Sequence, residues 1–407
     1  MTLQLLTLVT AAVGMALVAL THNSYAVYFM FCALTAVILV SYASSRLSAR
    51  ALSWRREEAD RVFENDAIAV SVELTNRGRV PRFALSVRDT LPPLLEADRA
   101  PEFVLPALWP GQRVTLSYQV RARKRGVYPL GPLSVWVSDP FGVYQRTAPL
   151  EARSESVVYP RPVPLDGELG RSALSTRGDA TGEHARAYEA GLDFYGIRDY
   201  RPGDELRRIH WPATAHYGRL TVIEFDRTAS DNLAVVLDAR AGTEFGAGVD
   251  TTLEVGIRAA ASLIHWALAS EGVGFIAVDS KEGPRWLGAD RLDREHEILE
   301  LLARTDADGS MPVSALLAWA ARRIGSGATV CVITAAPDDE LPAVVASLGR
   351  RQVRTAAIVL DAHSFDRRED HPGKAMDALS VAGAVTVGVR LGEDLGEALE
   401  SVLAASE

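Results

Sequence analysis

NLAVVLDARAG, Asn232 to Gly242, is an apolar run that stops on an acid and turns. Downstream of it, helical periodicity near Leu253–Ser270, Arg291–Arg304, Pro312–Arg323, Pro342–Arg350 and Leu395–Ala405 alternates with short apolar runs. Those runs are Val273–Val278, Ala328–Ile333, Arg354–Leu360 and Val385–Val389. Alternating strand and helix of these lengths predicts an open, mostly parallel sheet covered on both faces, an α/β domain over 231–407. Such sheets bind ligands outside the carboxyl ends of their strands, so Asp238 marks the edge where chemistry is to be sought.

Upstream, 161–190 is rich in Gly, Pro, Ser and charge without periodicity, and a linker with a distinctive motif is expected over 161–230. From Trp54 to Pro160 the period is two. Ala67–Thr75, Phe83–Val87, Val114–Ala122 and Leu133–Val137 read as strands, and Asn76-Arg77-Gly78, Pro110-Gly111 and Asp139-Pro140-Phe141-Gly142 as turns. The expectation over 54–160 is an all-β immunoglobulin-like sandwich.

The 407 residues are 48% apolar and 23% charged with a net charge of -9, yet Met1 to Ser45 contains no Asp, Glu, Lys or Arg. Leu3–Leu20 and Tyr25–Ala43 each have the length of a bilayer core at about 1.5 Å per residue, and the short connector predicts a transmembrane helical hairpin over 1–45. A secretory signal would need a basic start and a cleavage site. Arg46, Arg50, Arg55 and Arg56 follow the second run, which predicts an integral, two-span protein with its soluble domains cytoplasmic. The acidic balance argues against nucleic acid as a partner. Two cysteines, Cys32 and Cys331, both in apolar runs, exclude a disulfide framework and a cysteine zinc site.

DFYGIRDYRPGDELRRIHWPATAHYGRLTVIEFD, Asp193 to Asp226, resembles the signature of the domain of unknown function 58 family. The matching positions are Arg198, Tyr200, Pro202, Gly203, Asp204, Arg208, Ile209 and Trp211, followed by Gly218, Leu220 and Glu224. Arg125–Arg146 is similar to the strand pair that precedes the signature in that family. The resemblance implies that the α/β domain is von Willebrand factor A-like (Rossmann-like). It also implies association with a MoxR-type AAA+ ATPase in protein maturation or envelope-complex assembly. His216 stands where the family usually has Arg.

In a von Willebrand factor A fold, a strand-end Asp-x-Ser-x-Ser, a distant Thr and a later Asp hold a divalent cation through hard oxygens. Here the strand-end run is Asp238-Ala239-Arg240-Ala241-Gly242, and the later strand ends Ile333-Thr334-Ala335-Ala336. Arg240 brings positive charge to the would-be cation, and only Thr334, Asp338 or Asp339 could compensate. A degenerate site at Asp238 with no metal, and no cofactor, is expected.

In the signature, Pro202-Gly203-Asp204 suits a type II turn, with Asp204 capping a short helix over Glu205–Ile209. Mixed signs favour internal pairing of Arg198, Asp204 and Arg208 beneath Trp211 over an acidic-partner face built by Arg198, Arg201, Arg207, Arg208, Arg219 and His210. Gly325-Ser326-Gly327 is no nucleophile elbow, and Gly272-Val273-Gly274 lacks the third glycine of a dinucleotide fingerprint. Asp361, His363, Asp366, Glu369, Asp370 and His371 read as an exposed acidic loop. A non-enzymatic, membrane-anchored scaffold or adaptor that binds other proteins is expected, with the bilayer contacted through 3–43. The alternatives are a divalent-metal-dependent hydrolase and a metal-dependent adhesion protein using the strand-end site.

Overall fold

A computed structural model describes residues 3–22, 24–48, 51–57, 62–97, 101–150, 153–165, 192–199, 214, 218–227, 232–270, 272–366 and 373–405. The chain divides into two compact units, Met1–Tyr159 and Pro160–Glu407.

The first unit begins with two apolar helices, α1 (Leu3–His22) and α2 (Tyr25–Ser48). Three of their threonines are satisfied within the helices: Thr10, Thr21 and Thr35 donate to the carbonyls of Leu6, Leu17 and Phe31 at 3.0, 3.1 and 2.9 Å. Ala12 and Ala19 are buried, whereas Leu17, Leu20, Phe29 and Leu39 are exposed, an outward apolar surface that water disfavours. Tyr25–Arg46, 22 residues with mean hydropathy 2.1, is long and apolar enough to cross a membrane. Leu5–Thr21 is a shorter apolar helix.

Eleven strands follow: β1 (Leu52–Glu57), β2 (Val62–Phe63), β3 (Ala67–Asn76), β4 (Arg82–Asp89), β5 (Leu95–Ala97), β6 (Glu102–Leu108), β7 (Arg113–Ala122), β8 (Gly126–Leu130), β9 (Leu133–Ser138), β10 (Gln145–Leu150) and β11 (Ser154–Tyr159). Two four-stranded antiparallel sheets, β1-β3-β7-β5 and β10-β9-β4-β6, share one core, and β2-β11-β8 forms a third, smaller sheet. Every second residue of β3 (Ile68, Val70, Val72, Leu74) enters that core, as the period of two requires. Strands β3, β4, β7 and β9 carry the alternation visible in the sequence. Those it concealed include the edge strands β1, with three charged residues in six, and β6, interrupted by Pro106. Arg56, one of the arginines following the second apolar run, is inside the sandwich. Its Nη2 lies 2.5 Å from Asp89 Oδ2, with the two side chains 1% and 2% exposed.

In the second unit β12 (Leu192–Asp199) and β13 (Thr221–Arg227) pair antiparallel, so strands flank a motif whose region reads as linker in sequence. Beyond them lie β14 (Asn232–Leu237), β15 (Gly246–Ala247), β16 (Asp250–Thr251), α3 (Thr252–Ala269), β17 (Val273–Ser280), β18 (Gly283–Ala289), α4 (Glu295–Arg304), α5 (Val313–Ala321), β19 (Thr329–Thr334), α6 (Leu341–Gly349), β20 (Arg354–Leu360), α7 (Ala362–Asp366), α8 (Gly373–Val381), β21 (Val385–Val389) and α9 (Leu395–Ala405). The main sheet has the order β18-β17-β14-β19-β20-β21, parallel except for the edge strand β18. Ala234, Val236, Val330 and Val332 pack with α5 and α6, while the alternate residues Leu237 and Ile333 lie close under α3, so the sheet is covered on both faces.

Gly, Pro and Arg in GPRWLGA hide β18 in the sequence. In the fold, Gly288 clears the ring of Phe275, which stacks on Trp286 at 5.2 Å, and an added Cβ there would lie 2.5 Å from that ring. Helix α7 occupies part of what the sequence suggests is an acidic loop.

Candidate functional site

Strand order reverses beside β14: the chain moves from β14 to β17 on one side, then returns to β19 on the other. Ligand crevices of open α/β sheets form at this switch point, and Asp238 and Thr334 end the two strands that flank it. The Thr334 hydroxyl donates to Asp238 Oδ2 at 2.8 Å, and the Arg240 amide donates to Oδ1 at 3.1 Å. The Arg240 guanidinium then reaches across to donate to the Ala336 carbonyl at 3.0 Å, while the Ala336 amide donates to Thr334 Oγ1 at 3.1 Å. Arginine thus bridges the two strand ends, and both carboxylate oxygens accept bonds from the chain itself.

Burial pushes the Asp238 carboxyl above the usual carboxylate range. Thr334, the Arg240 amide and the Arg240 charge oppose the rise, and the Asp338 charge adds to it. Between the unfolded value near 3.8 and the raised folded value, the folded chain holds the extra proton, so this group's contribution to stability falls as pH rises. Asp238→Asn is therefore expected to flatten the pH dependence of stability above about pH 4, measured as urea midpoints of the second unit.

The neighbouring acids serve the backbone. Asp338 accepts from the amides of Ser314 at 3.0 Å and Glu340 at 3.1 Å. Asp361 accepts from the His363 amide at 3.2 Å and lies 3.4 Å from Arg390 Nε. Buried Asp279, ending β17, accepts from the amides of Ser310 and Met311, each at 2.7 Å. The same segment bonds the end of β14: the Gly309 amide donates to Ala239 O at 3.0 Å, and the Ala241 amide donates to Gly309 O at 2.8 Å. What remains is a shallow cleft of about 240 Å³, counting space open to solvent, lined by Asp238, Thr243, Glu244, Thr252, Thr334 and apolar groups of the strand ends and α3. Among the described residues, no three His, Cys, Asp or Glu side chains are grouped to hold a metal ion.

Arg198 lies in β12 opposite Val222, and Gly218 turns at φ 67° beside Thr214 and Thr221. Tyr200, Pro202, Gly203, Asp204, Arg208 and Trp211, with the turn and short helix expected there, lie outside the described residues, as do Glu369, Asp370 and His371. The sequence pointed to Asp238 and Thr334. It gave no sign that Gly309–Met311 would close over the strand ends, because only the fold brings Asp279 to those amides.

The family described as "Protein of unknown function DUF58" matches residues 196–307. This segment is a DUF58 domain. It runs from β12 through β14, α3, β17 and β18 to Ala307, and so holds Asp238 and Arg240 but not Thr334. The chain is also similar to "Uncharacterized protein YeaD" of Bacillus subtilis (strain 168), 24% identical over 324 residues and covering 76% of each chain. Among solved structures it is similar to native alpha-2-macroglobulin from Escherichia coli, spanning domain MG7 to the C-terminus, with 22% identity and a TM-score of 0.23. That match covers 28% of this chain and 17% of the other. It is also similar to the CARDB domain of PF1109 from Pyrococcus furiosus, with 18% identity and a TM-score of 0.21, over 26% of this chain and 86% of that one. At these TM-scores neither likeness bears on what the DUF58 domain does.

Proposed function

We propose that this chain is a membrane-anchored scaffold or adaptor whose DUF58 domain and sandwich bind other proteins. The observation that carries the reading is the self-closed strand end, where Arg240 spans the switch point and Asp238 is bonded on both oxygens. A sheet edge finished in this way offers a surface instead of an open cation position. The doubly wound sheet with an acid at its switch point supports a von Willebrand factor A-like reading of 231–407. The apolar α1 and α2 support a two-span anchor, and Arg46 in the last turn of α2 with the arginines that follow supports a cytoplasmic placement of both soluble units.

The family resemblance makes a MoxR-type AAA+ ATPase the expected partner. Full-length chain isolated from its own membranes under low salt should bring down such an ATPase. Recovery of the chain without any ATPase or envelope protein would count against the reading. For topology, protease added outside oriented vesicles should leave the soluble units intact, and external cleavage would reverse the orientation. The second reading, a metal-dependent hydrolase or adhesion protein, is favoured only by Asp238 and Thr334 standing at the switch point.

A further inference from the structure

The end of the β-sandwich nearest the close of α2 carries two exposed aromatic rings and two exposed arginines. We infer that this end rests on the bilayer surface, with Trp109 and Phe141 at the boundary between headgroups and acyl chains. The inference depends on reading α2 as a membrane span.

Contacts with α2 and with Ala51, just before β1, fix the location. The Tyr42 and Tyr144 ring centroids are 5.8 Å apart, Arg146 Nε donates to Ser45 Oγ at 3.2 Å, and the Arg77 amide donates to Ala51 O at 3.0 Å. Register gathers the remaining turns at the same end: Arg82 pairs with Leu108, and Phe83 with Ser138, which also pairs with Gln145. The Gly111 amide donates to Asn76 O at 2.8 Å. Along α2, the last turn before the first charge is Tyr42–Ser45, and Arg46 lies over the Tyr42 ring at 5.2 Å. That is the level at which hydrocarbon gives way to headgroups, where aromatic rings and arginines gather.

Both rings are held out by ordered turns. Buried Asp139 accepts from the amides of Phe141 at 2.9 Å and Tyr144 at 2.6 Å, leaving Phe141 56% exposed. The Trp109 amide donates to Gln112 Oε1 at 2.8 Å and the Gln112 amide to Trp109 O at 3.0 Å, leaving Trp109 57% exposed. Arg77 and Arg79 are exposed at the same end. Of the acids nearby, Asp139 is buried in its turn and Glu73 lies 3.6 Å from Arg113. The face is cationic, which suits anionic headgroups.

The test places a fluorophore on single cysteines in full-length chain carrying Cys32→Ala, reconstituted in phosphatidylcholine–phosphatidylglycerol vesicles. Cys331 is buried in β19 with its thiol pushed up to about 12, so it stays unlabelled in the folded chain. Labels go at positions 141, 109, 39 in α2, and 90. Thr90 follows β4 at the far end of the sandwich, about 25 Å away at 3.3 Å per residue. Lipids with a nitroxide high on the acyl chain should quench labels at 141 and 109 several-fold more than at 90, and should also quench the label at 39, which lies less than one turn below Tyr42. Arg77→Gln with Arg79→Gln should lower quenching at 141 toward its value in pure phosphatidylcholine. Quenching at 39 with 141 and 109 no different from 90 would overturn the inference and leave the span standing. Absence of quenching at 39 would remove the span and the inference with it.

Discussion

Asp89→Ala is expected to destabilise the β-sandwich by about 3–5 kcal/mol, the effect of stranding one partner of a buried ion pair. Asp89 Oδ2 accepts from Arg56 Nη2 and from the Tyr118 hydroxyl, each at 2.5 Å, and Arg56 Nη1 also donates to Ser154 Oγ at 2.9 Å. Removing the carboxylate leaves a guanidinium beside a core built mainly of Val, Leu and Ile side chains. Domains of this size are stable by only about 5–15 kcal/mol, so the loss consumes much of the margin. Peptide-resolved hydrogen exchange of β3 and β7 in the intact chain should show the protection collapse. Replacing the pair together, Arg56→Met with Asp89→Leu, should restore most of it, because an apolar pair of similar volume removes the stranded charge. A single-site loss below about 1 kcal/mol would mean that water reaches the pair, since exposed pairs contribute no more than that.

The second large effect concerns the brace over the strand ends. Asp279→Ala leaves the part-buried amides of Ser310 and Met311 without their acceptor, at about 0.5–1.5 kcal/mol for each bond lost. Asp279→Asn keeps one carbonyl oxygen and should cost less. Gly309→Ala attacks the same brace sterically, because its Cβ would lie 2.8 Å from Asp279 O and 3.1 Å from Ala239 O, both backbone atoms that cannot swing aside. Strain of that kind costs about 1–3 kcal/mol. In both variants exchange should quicken first at Gly309–Met311 and at Ala241, whose amide donates to Gly309. Unchanged exchange at Ala241 would show that the end of β14 holds without the brace.

Local patterns are legible in the sequence, and pairing between distant residues is not. The alternation of Ala67–Asn76 and the apolar run Asn232–Leu237 are local patterns, and each appears as a strand, β3 and β14. Burial of Arg56 and Asp89 is a product of pairing between residues 33 positions apart in chain, and nothing in LSWRRE separates the arginine that turns inward from its neighbour. Strand β18 was hidden because Gly288 is there for the Phe275 ring, a cross-strand demand that reads in sequence as a turn signal. At the candidate site, Asp238 and Thr334 were legible because strand-end acids and hydroxyls stand out against apolar runs. Arg240 was legible as a charge opposed to a cation, but its reach to Ala336, 96 positions on, required the β14–β19 pairing.

The protein's own groups close the strand end. Calorimetric titration of the intact chain in detergent with magnesium, manganese and calcium tests that most directly. The expected result is no saturable heat for any of the three ions, and none for Asp238→Asn. Saturable binding of one ion by the wild-type chain, abolished by Asp238→Asn, would contradict it and favour the metal-dependent reading.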